Sequence, residues 1–138
     1  MRIAVVPGTL ALQQRYASLT DPIPDLRAAV DAATAWADRV FVINGSARRT
    51  QASPGPFDER AVPFDDALFT ALVGADDCAL HELDLDAGRE VARELWATTD
   101  ALGELATALE PSSPDWTVTV DYNDAPTGVA WWVIRYES

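Results

Sequence analysis

Two apolar runs near the start of the chain decide the fold, Ile3-Ala4-Val5-Val6-Pro7-Gly8 and Val40-Phe41-Val42-Ile43-Asn44-Gly45. Each run is short, rich in β-branched residues and closed by residues that favour turns, so we expect buried strands over 3–6 and 40–43. Between them, a proline and an aspartate open a stretch whose apolar residues recur at helical spacing, which predicts a helix over 24–37. Two wholly apolar strands joined by a helix favour a parallel pair with a right-handed crossover, the βαβ unit.

The end of the chain predicts antiparallel strands. Apolar and polar residues alternate over 116–122, which is typical of a half-buried strand, and 129–134 is continuously apolar. A short turn over 123–128 between them indicates a hairpin. The predicted fold class is therefore α/β: one domain over 1–138, a mixed sheet with an N-terminal βαβ unit and a C-terminal β-hairpin, flanked by helices.

The middle of the chain predicts helices and long connections. The predicted helices are 67–73 (opened by Asp65-Asp66 and closed by Gly74), 76–82, 86–95 and 98–109, the last either a continuation of 86–95 or a separate helix. The predicted connections are 9–23, with a turn of helix near Leu10–Gln14, and the polar stretch 44–63. A connection as long as the second is a functional loop or a mobile one.

Composition excludes several classes of function. The 138 residues carry a formal net charge of −12, with ten basic residues that are all arginine, one cysteine and one histidine. Without lysine there is no Schiff-base enzyme and no P-loop lysine, and one thiol makes no internal disulfide or ordinary zinc site. The negative charge disfavours nucleic acid and anionic membranes. No apolar run suits a signal peptide or a membrane span, so we expect a cytoplasmic protein.

The carboxyl ends of the first two strands offer candidate ligand-binding residues. In open α/β sheets, ligands lie beyond these ends. Glycine permits close backbone approach, while hydroxyl, amide and guanidinium groups can hold a small carboxylate or phosphate. The candidates are Gly8, Thr9, Asn44, Ser46, Arg48 and Arg49. The alternative is two ordinary turns and a solvated arginine pair.

Acidic pairs are candidates for binding a hard cation or for helix capping. The pairs are Asp65-Asp66, Asp76-Asp77, Asp84 with Asp86, and Asp121 with Asp124. Oxygen ligands suit magnesium or calcium, but none of the pairs has EF-hand spacing. Asp65, Asp76 and Asp86 each precede a helical pattern, so capping is the favoured interpretation and no metal or other cofactor is expected.

The remaining candidates favour structural roles. His81 is the only ordinary proton-transfer group near neutral pH, and it lies at a predicted helix end. Acidic neighbours raise a thiol pKa, so Cys78 is expected to be a small buried side chain. Trp131 and Trp132 are successive strand residues and should face opposite sides of the sheet.

The order of these segments resembles a family of actinobacterial proteins that are themselves similar to class III extradiol dioxygenases. The resemblance rests on the first strand, on Asp21–Ala29, on Asn44-Gly45, on Arg89–Leu105 and above all on Val120–Val133. That last stretch contains a Tyr-x-Asp-x-Pro-x-Gly-Val pattern. The resemblance covers both ends well and the middle poorly, as though a central portion were missing.

The resemblance implies an α/β fold and argues against the reaction of the class III extradiol dioxygenases. True class III enzymes bind ferrous iron through two histidines and a glutamate and cleave catechol rings with dioxygen. Where the histidines are expected, this chain has Pro7-Gly8-Thr9 and Asn44-Gly45-Ser46, and His81 is alone elsewhere. A facial triad needs two histidines and a carboxylate.

The sequence therefore predicts a non-catalytic relative that binds a protein partner, a second copy of itself as a homodimer, or a small anion at the strand-end loops. Two alternatives stay open. One is an enzyme that uses His81 as a general base, or an oxygen-ligand metal on Asp121, Asp124 or Asp86. The other is a subunit that works only within a complex and contacts its partner through the loop 44–63.

Overall fold

The computed structural model describes residues 1–8, 24–112, 115–125 and 128–138. The elements in these ranges are β1 (Arg2–Val6), α1 (Pro24–Trp36), β2 (Arg39–Val42), α2 (Ala61–Val73), α3 (Asp77–Leu83), α4 (Asp86–Glu94), α5 (Leu102–Leu109), a 3₁₀ turn (Glu110–Ser112), β3 (Thr117–Asp124) and β4 (Trp131–Glu137). Thr9 and the turn expected near Leu10–Gln14 lie outside the described residues.

The four described strands form one mixed sheet in the order β2-β1-β4-β3. β1 pairs with β2 in parallel, while β4 pairs antiparallel with both β1 and β3. The mixed α/β fold is therefore confirmed, with its parallel pair across α1 and its C-terminal hairpin. The expectation that the second strand is buried is wrong for β2, an edge strand in which Val40 and Val42 are exposed and only Phe41 is buried. Because β3 runs parallel to β1, the carboxyl ends of β1, β2 and β3 lie at the same end of the sheet as the start of β4.

Each face of the sheet packs against its own helical layer. One core cluster joins Trp132 to Leu68 and Leu72 of α2 and to side chains of α3 and α5. The other joins Trp131 to Leu26 and Ala33 of α1. Both indoles are buried, with relative exposures of 0% and 1%, and they lie on opposite faces as expected from the strand period of two.

Helix α2 begins earlier than expected, so the predicted opening at Asp65-Asp66 is wrong. It starts at Ala61, and Pro63 lies within its first turn, where a missing N–H costs nothing. Asp65 therefore lies in the second turn instead of capping the helix. It is 2% exposed, whereas Asp66 next to it faces solvent.

Two other expectations about helix starts and ends are also corrected. Asp86 is the first residue of α4 and Leu85 is its N-cap, so Asp86 does not cap that helix. The helix expected over 98–109 begins only at Leu102, because the backbone of Thr98 pairs with that of Asn44 in an isolated β-bridge. Asp76 does cap α3, since its carboxylate accepts a hydrogen bond from Ala79 N–H at 3.1 Å.

A β-bulge changes the face on which the end of β3 presents its side chains. The register shifts between Val120 and Tyr122, so Tyr122 packs into the α1-side cluster instead of continuing the face of Val118. Asn123 then pairs with Trp132 and shares its face. The uninterrupted alternation expected through Tyr122 is therefore wrong.

The described helices include none with the length and hydropathy needed to cross a bilayer.

Candidate functional site

The ends of β1 and β2 are tied together by the side chain of Asn44. Its Oδ1 accepts a hydrogen bond from Gly8 N–H at 3.0 Å, and its Nδ2 donates to Gly45 O at 3.1 Å. Asn44 is wholly buried. Both polar atoms of the amide are thus engaged in joining the two strand ends.

Ser46 and Arg48 bind the loop after β2 to helix α4. Ser46 is buried, and its Oγ donates to Leu95 O at 2.6 Å and accepts from Arg48 N–H at 2.9 Å. The guanidinium of Arg48 donates to Pro56 O at 2.7 Å and to Glu94 O at 2.6 Å. A cation on the last carbonyls of a helix also complements the negative end of its dipole.

Arg49 differs from Arg48 because it is held by a buried carboxylate. Its Nη1 lies 2.7 Å from Asp65 Oδ2, while Asp65 Oδ1 accepts from Ser46 N–H at 2.8 Å. Desolvation raises the pKa of Asp65 from 3.8 to about 6, against the lowering effects of the Ser46 N–H and of Arg49. At pH 7 the pair is therefore ionised for most of the time, and it anchors the loop to α2.

Beside this ion pair lies a cleft of about 220 Å³, which we call the α2–β3 cleft. Its walls are formed by helix α2, by Arg49 in the loop after β2, by the end of β3 and by the residues at the start of β4. The residues that line it are Arg49, Asp65, Asp66, Phe69, Asn123, Asp124, Ala125, Ala130 and Trp132. Liquid water takes about 30 Å³ per molecule, so the cleft has room for about seven waters or a ligand of similar size.

Trp132, which lines the cleft, has an indole N–H that lacks an acceptor. Its indole is 1% exposed, and among the described residues no group accepts from its Nε1–H. Buried polar groups in proteins nearly always have a partner, and an unpaired one carries a desolvation penalty of about 1–3 kcal/mol. An acceptor on a bound molecule is one way in which this N–H could be satisfied.

Gly45 allows the chain after β2 to pack closely against Ala130 and Asp65. A Cβ at this position would lie 2.6 Å from the Cβ of Ala130 and 2.6 Å from Oδ1 of Asp65. We therefore expect Gly45→Ala to lower the free energy of unfolding by about 1–3 kcal/mol, as overpacking does, measured by urea denaturation. Gly74→Ala is the control, since Gly74 has an ordinary φ of −75°. Equal effects of the two substitutions would contradict this role.

Of the predicted ligand-binding residues, the structure brings only Arg49 into the cleft. Gly8 and Asn44 join the strand ends, Ser46 and Arg48 join the loop after β2 to α4, and Thr9 lies outside the described residues. Asp65, Phe69, Asn123 and Trp132 were not expected there. The sequence carried one signal, because Asp65 falls in the apolar stripe of α2 with Ala61, Leu68 and Leu72.

The residues of the enzymatic alternative are engaged elsewhere or dispersed. His81 Nε2 lies 3.0 Å from Glu110 Oε1, on side chains that are 40% and 49% exposed. Asp121 forms a two-contact ion pair with Arg135, at 2.6 and 3.0 Å. Asp86 lies at the start of α4, and only Asp124 reaches the cleft.

Cys78 is exposed, so the expectation of a buried thiol is wrong. It belongs to α3, and the side chain faces outward beside the capping residue Asp76. The possible ligand atoms of Asp76, Asp77 and Cys78 lie within 4.8 Å of one another. Capping already accounts for the carboxylate of Asp76.

Comparison of the chain with protein-family models, with curated proteins and with solved structures finds no match.

Proposed function

We propose that the chain is a non-catalytic binding protein that holds a small carboxylate-bearing molecule in the α2–β3 cleft. The observation that carries this is the placement of Arg49, whose guanidinium is fixed by the buried Asp65 at the wall of the cleft. An arginine held in place loses less side-chain freedom on binding, and its planar fork matches a carboxylate.

Two further features support binding over catalysis. Within the described part of the chain, the Arg49 guanidinium makes one hydrogen bond, from Nη1 to Asp65, so the rest of the fork can donate to a ligand. The unpaired Nε1–H of Trp132 supplies a second kind of donor on the same cleft.

Kinship with the extradiol dioxygenase relatives is part of this proposal, with binding retained and ring cleavage lost. The exposed Cys78 suits a reducing compartment such as the cytoplasm.

The test is an NMR titration with simple carboxylates of two to five carbons, with and without an amino group. We expect the Trp132 Nε1–H signal to shift. Arg49→Gln should weaken binding at least tenfold, because it removes the charge and the fork. The affinity of Arg49→Lys should lie between those of the parent chain and of Arg49→Gln, since lysine keeps the charge but lacks the planar fork. Both substitutions keep a polar side chain near Asp65, and thermal melts verify that the variants fold.

The matched control is Arg89→Gln, which removes an equal charge from an exposed arginine on α4 that pairs with Asp84. Its affinities should equal those of the parent chain. The proposal is wrong if no carboxylate in the series moves the Trp132 signal. It is also wrong if Arg49→Gln binds them as tightly as the parent chain does.

Self-association is the second candidate function. In the described sheet, β2 is an edge strand, and its Val40 and Val42 are 40% and 41% exposed. An exposed apolar edge can pair with the same strand of a second copy about a two-fold axis. We expect a dimer in light scattering at high concentration and a monomer for Val42→Lys. A monomeric parent chain would exclude this candidate.

A further inference from the structure

The charges around the α2–β3 cleft do not balance for a simple anion. Arg49 and Asp65 neutralise one another across 2.7 Å. Asp66 and Asp124 also line the cleft, both are exposed, and neither forms an ion pair within the described part of the chain. A plain carboxylate bound to Arg49 would therefore lie near two uncompensated carboxylates, which repel it.

An ammonium group on the same ligand removes this conflict. It would meet the carboxylates of Asp66 and Asp124, and charge-assisted hydrogen bonds of this type are stronger than neutral ones. Phe69 and Trp132 also line the cleft, and their ring centroids lie 5.7 Å apart.

The donors of the cleft require an acceptor on the ligand as well. The buried Nε1–H of Trp132 has no acceptor among the described residues. This observation is independent of the acidic residues, and an alkylammonium ion has no acceptor that could satisfy it. The fork of Arg49 makes the same demand.

We propose that the natural ligand of the α2–β3 cleft is a small zwitterion, an amino acid whose carboxylate binds Arg49 and the indole N–H of Trp132 and whose ammonium binds Asp66 and Asp124. This inference rests on the carboxylate site proposed above and names its ligand class. A zwitterion brings no net charge to the cleft. Its carboxylate matches the donors that line the cleft, and its ammonium matches the carboxylates. The room for about seven waters suits an amino acid of about seven heavy atoms.

The experiment compares three probes of matched length: 4-aminobutanoate, butanoate and butylamine. Each is titrated into the full chain while the Trp132 Nε1–H signal is followed. We expect 4-aminobutanoate to bind at least tenfold more tightly than either of the other two. Glycine, β-alanine and 5-aminopentanoate extend the comparison to other separations of the charges, each against its matched carboxylate and amine.

Substitution of the acidic residues separates the two ends of the ligand. Asp124→Asn keeps an oxygen that can accept the Ala125 N–H, as Asp124 Oδ1 does at 2.8 Å. This substitution should weaken the binding of 4-aminobutanoate at least threefold. Butanoate should bind the variant as tightly as the parent chain, or more tightly. Asp66→Asn should act in the same way. Glu82→Gln, an equal charge change on the exposed surface of α3, should alter neither affinity.

The outcomes distinguish this inference from the proposed function. If the plain carboxylates bind as tightly as the amino acids and need Arg49, the carboxylate site stands and the zwitterion is wrong. If butylamine binds as tightly as 4-aminobutanoate and Arg49→Gln changes neither affinity, the carboxylate site and the zwitterion are both wrong. If no probe in any series moves the Trp132 signal, both are wrong as well.

Discussion

The Asp65→Ala variant is expected to unfold about 3 kcal/mol more easily than the parent chain at pH 7. The substitution removes the acceptor of the Ser46 N–H and the partner of Arg49 together. Leaving one member of a buried ion pair alone costs about 3–5 kcal/mol, and the 21% exposure of Arg49 lets it reach water and recover part of that. Urea denaturation at fixed pH measures the loss.

The Asp65→Asn variant tests the charge separately from the hydrogen bond, because its amide oxygen can still accept from Ser46 N–H. The pKa of Asp65 is about 6 in the folded chain and 3.8 as the ordinary value, so the folded state binds the proton more tightly. A raised carboxyl pKa gives stability that is present at low pH and lost as pH rises through about 4 to 6. Over this whole range the free energy of unfolding falls by about 3 kcal/mol, because each pKa unit of difference corresponds to about 1.36 kcal/mol.

The measurable form of this prediction is a difference between two chains. The unfolding free energy of the parent minus that of Asp65→Asn should fall by about 2 kcal/mol from pH 4 to pH 7, the larger part of that total. The control is Asp31→Asn on α1, where the side chain is exposed and the difference should stay within about 0.5 kcal/mol. A flat difference for Asp65→Asn would contradict the raised pKa and the burial that causes it.

The parts of the fold that could be predicted from the sequence are those with a local, repeated pattern. β1 and β2 follow from continuous apolar runs, and α1 follows from apolar residues at helical spacing between them. The parallel pairing then follows from the connection, since a helix between two apolar strands leaves few other arrangements. The opposite facing of Trp131 and Trp132 follows from the strand period alone.

The site was harder to predict because its residues look ordinary in the sequence. Arg48 and Arg49 are neighbours of the same type, and only packing shows that one binds α4 and the other Asp65. Asp65 and Asp66 are likewise alike in sequence, although one is buried and the other exposed. A carboxylate at an apolar-stripe position of α2 was the available clue.

The position of Asn123 in the cleft had no signal in the sequence. Without the bulge between Val120 and Tyr122, alternation would have turned Asn123 to the α1 face and Tyr122 to the face of Trp132. No glycine marks the bulge, so the extra residue could not be read from residue types. One extra residue in β3 thus decides which polar side chain lines the cleft.

The two tryptophans at the start of β4 are expected to have the other large effect. Trp131→Ala and Trp132→Ala should each lower the free energy of unfolding by about 3–5 kcal/mol, because each removes a fully buried indole from a packed layer. The control is Trp36→Ala. That indole is only partly buried, with the guanidiniums of Arg2 and Arg135 at 5.4 and 5.2 Å from the ring. Trp36→Ala should therefore lower the free energy of unfolding by less.

The two core variants should also differ in where the structure loosens. Trp131 packs on Leu26 and Ala33 of α1, whereas Trp132 packs on Leu68 and Leu72 of α2. Native-state hydrogen exchange should therefore speed up first in α1 for Trp131→Ala and first in α2 for Trp132→Ala, since local opening follows the layer that lost its contacts. If both variants loosen the same helix, the two faces are not independent layers. In that case the position of α2, which carries Asp65 and Phe69 of the cleft, would depend on the α1 layer as well as on its own.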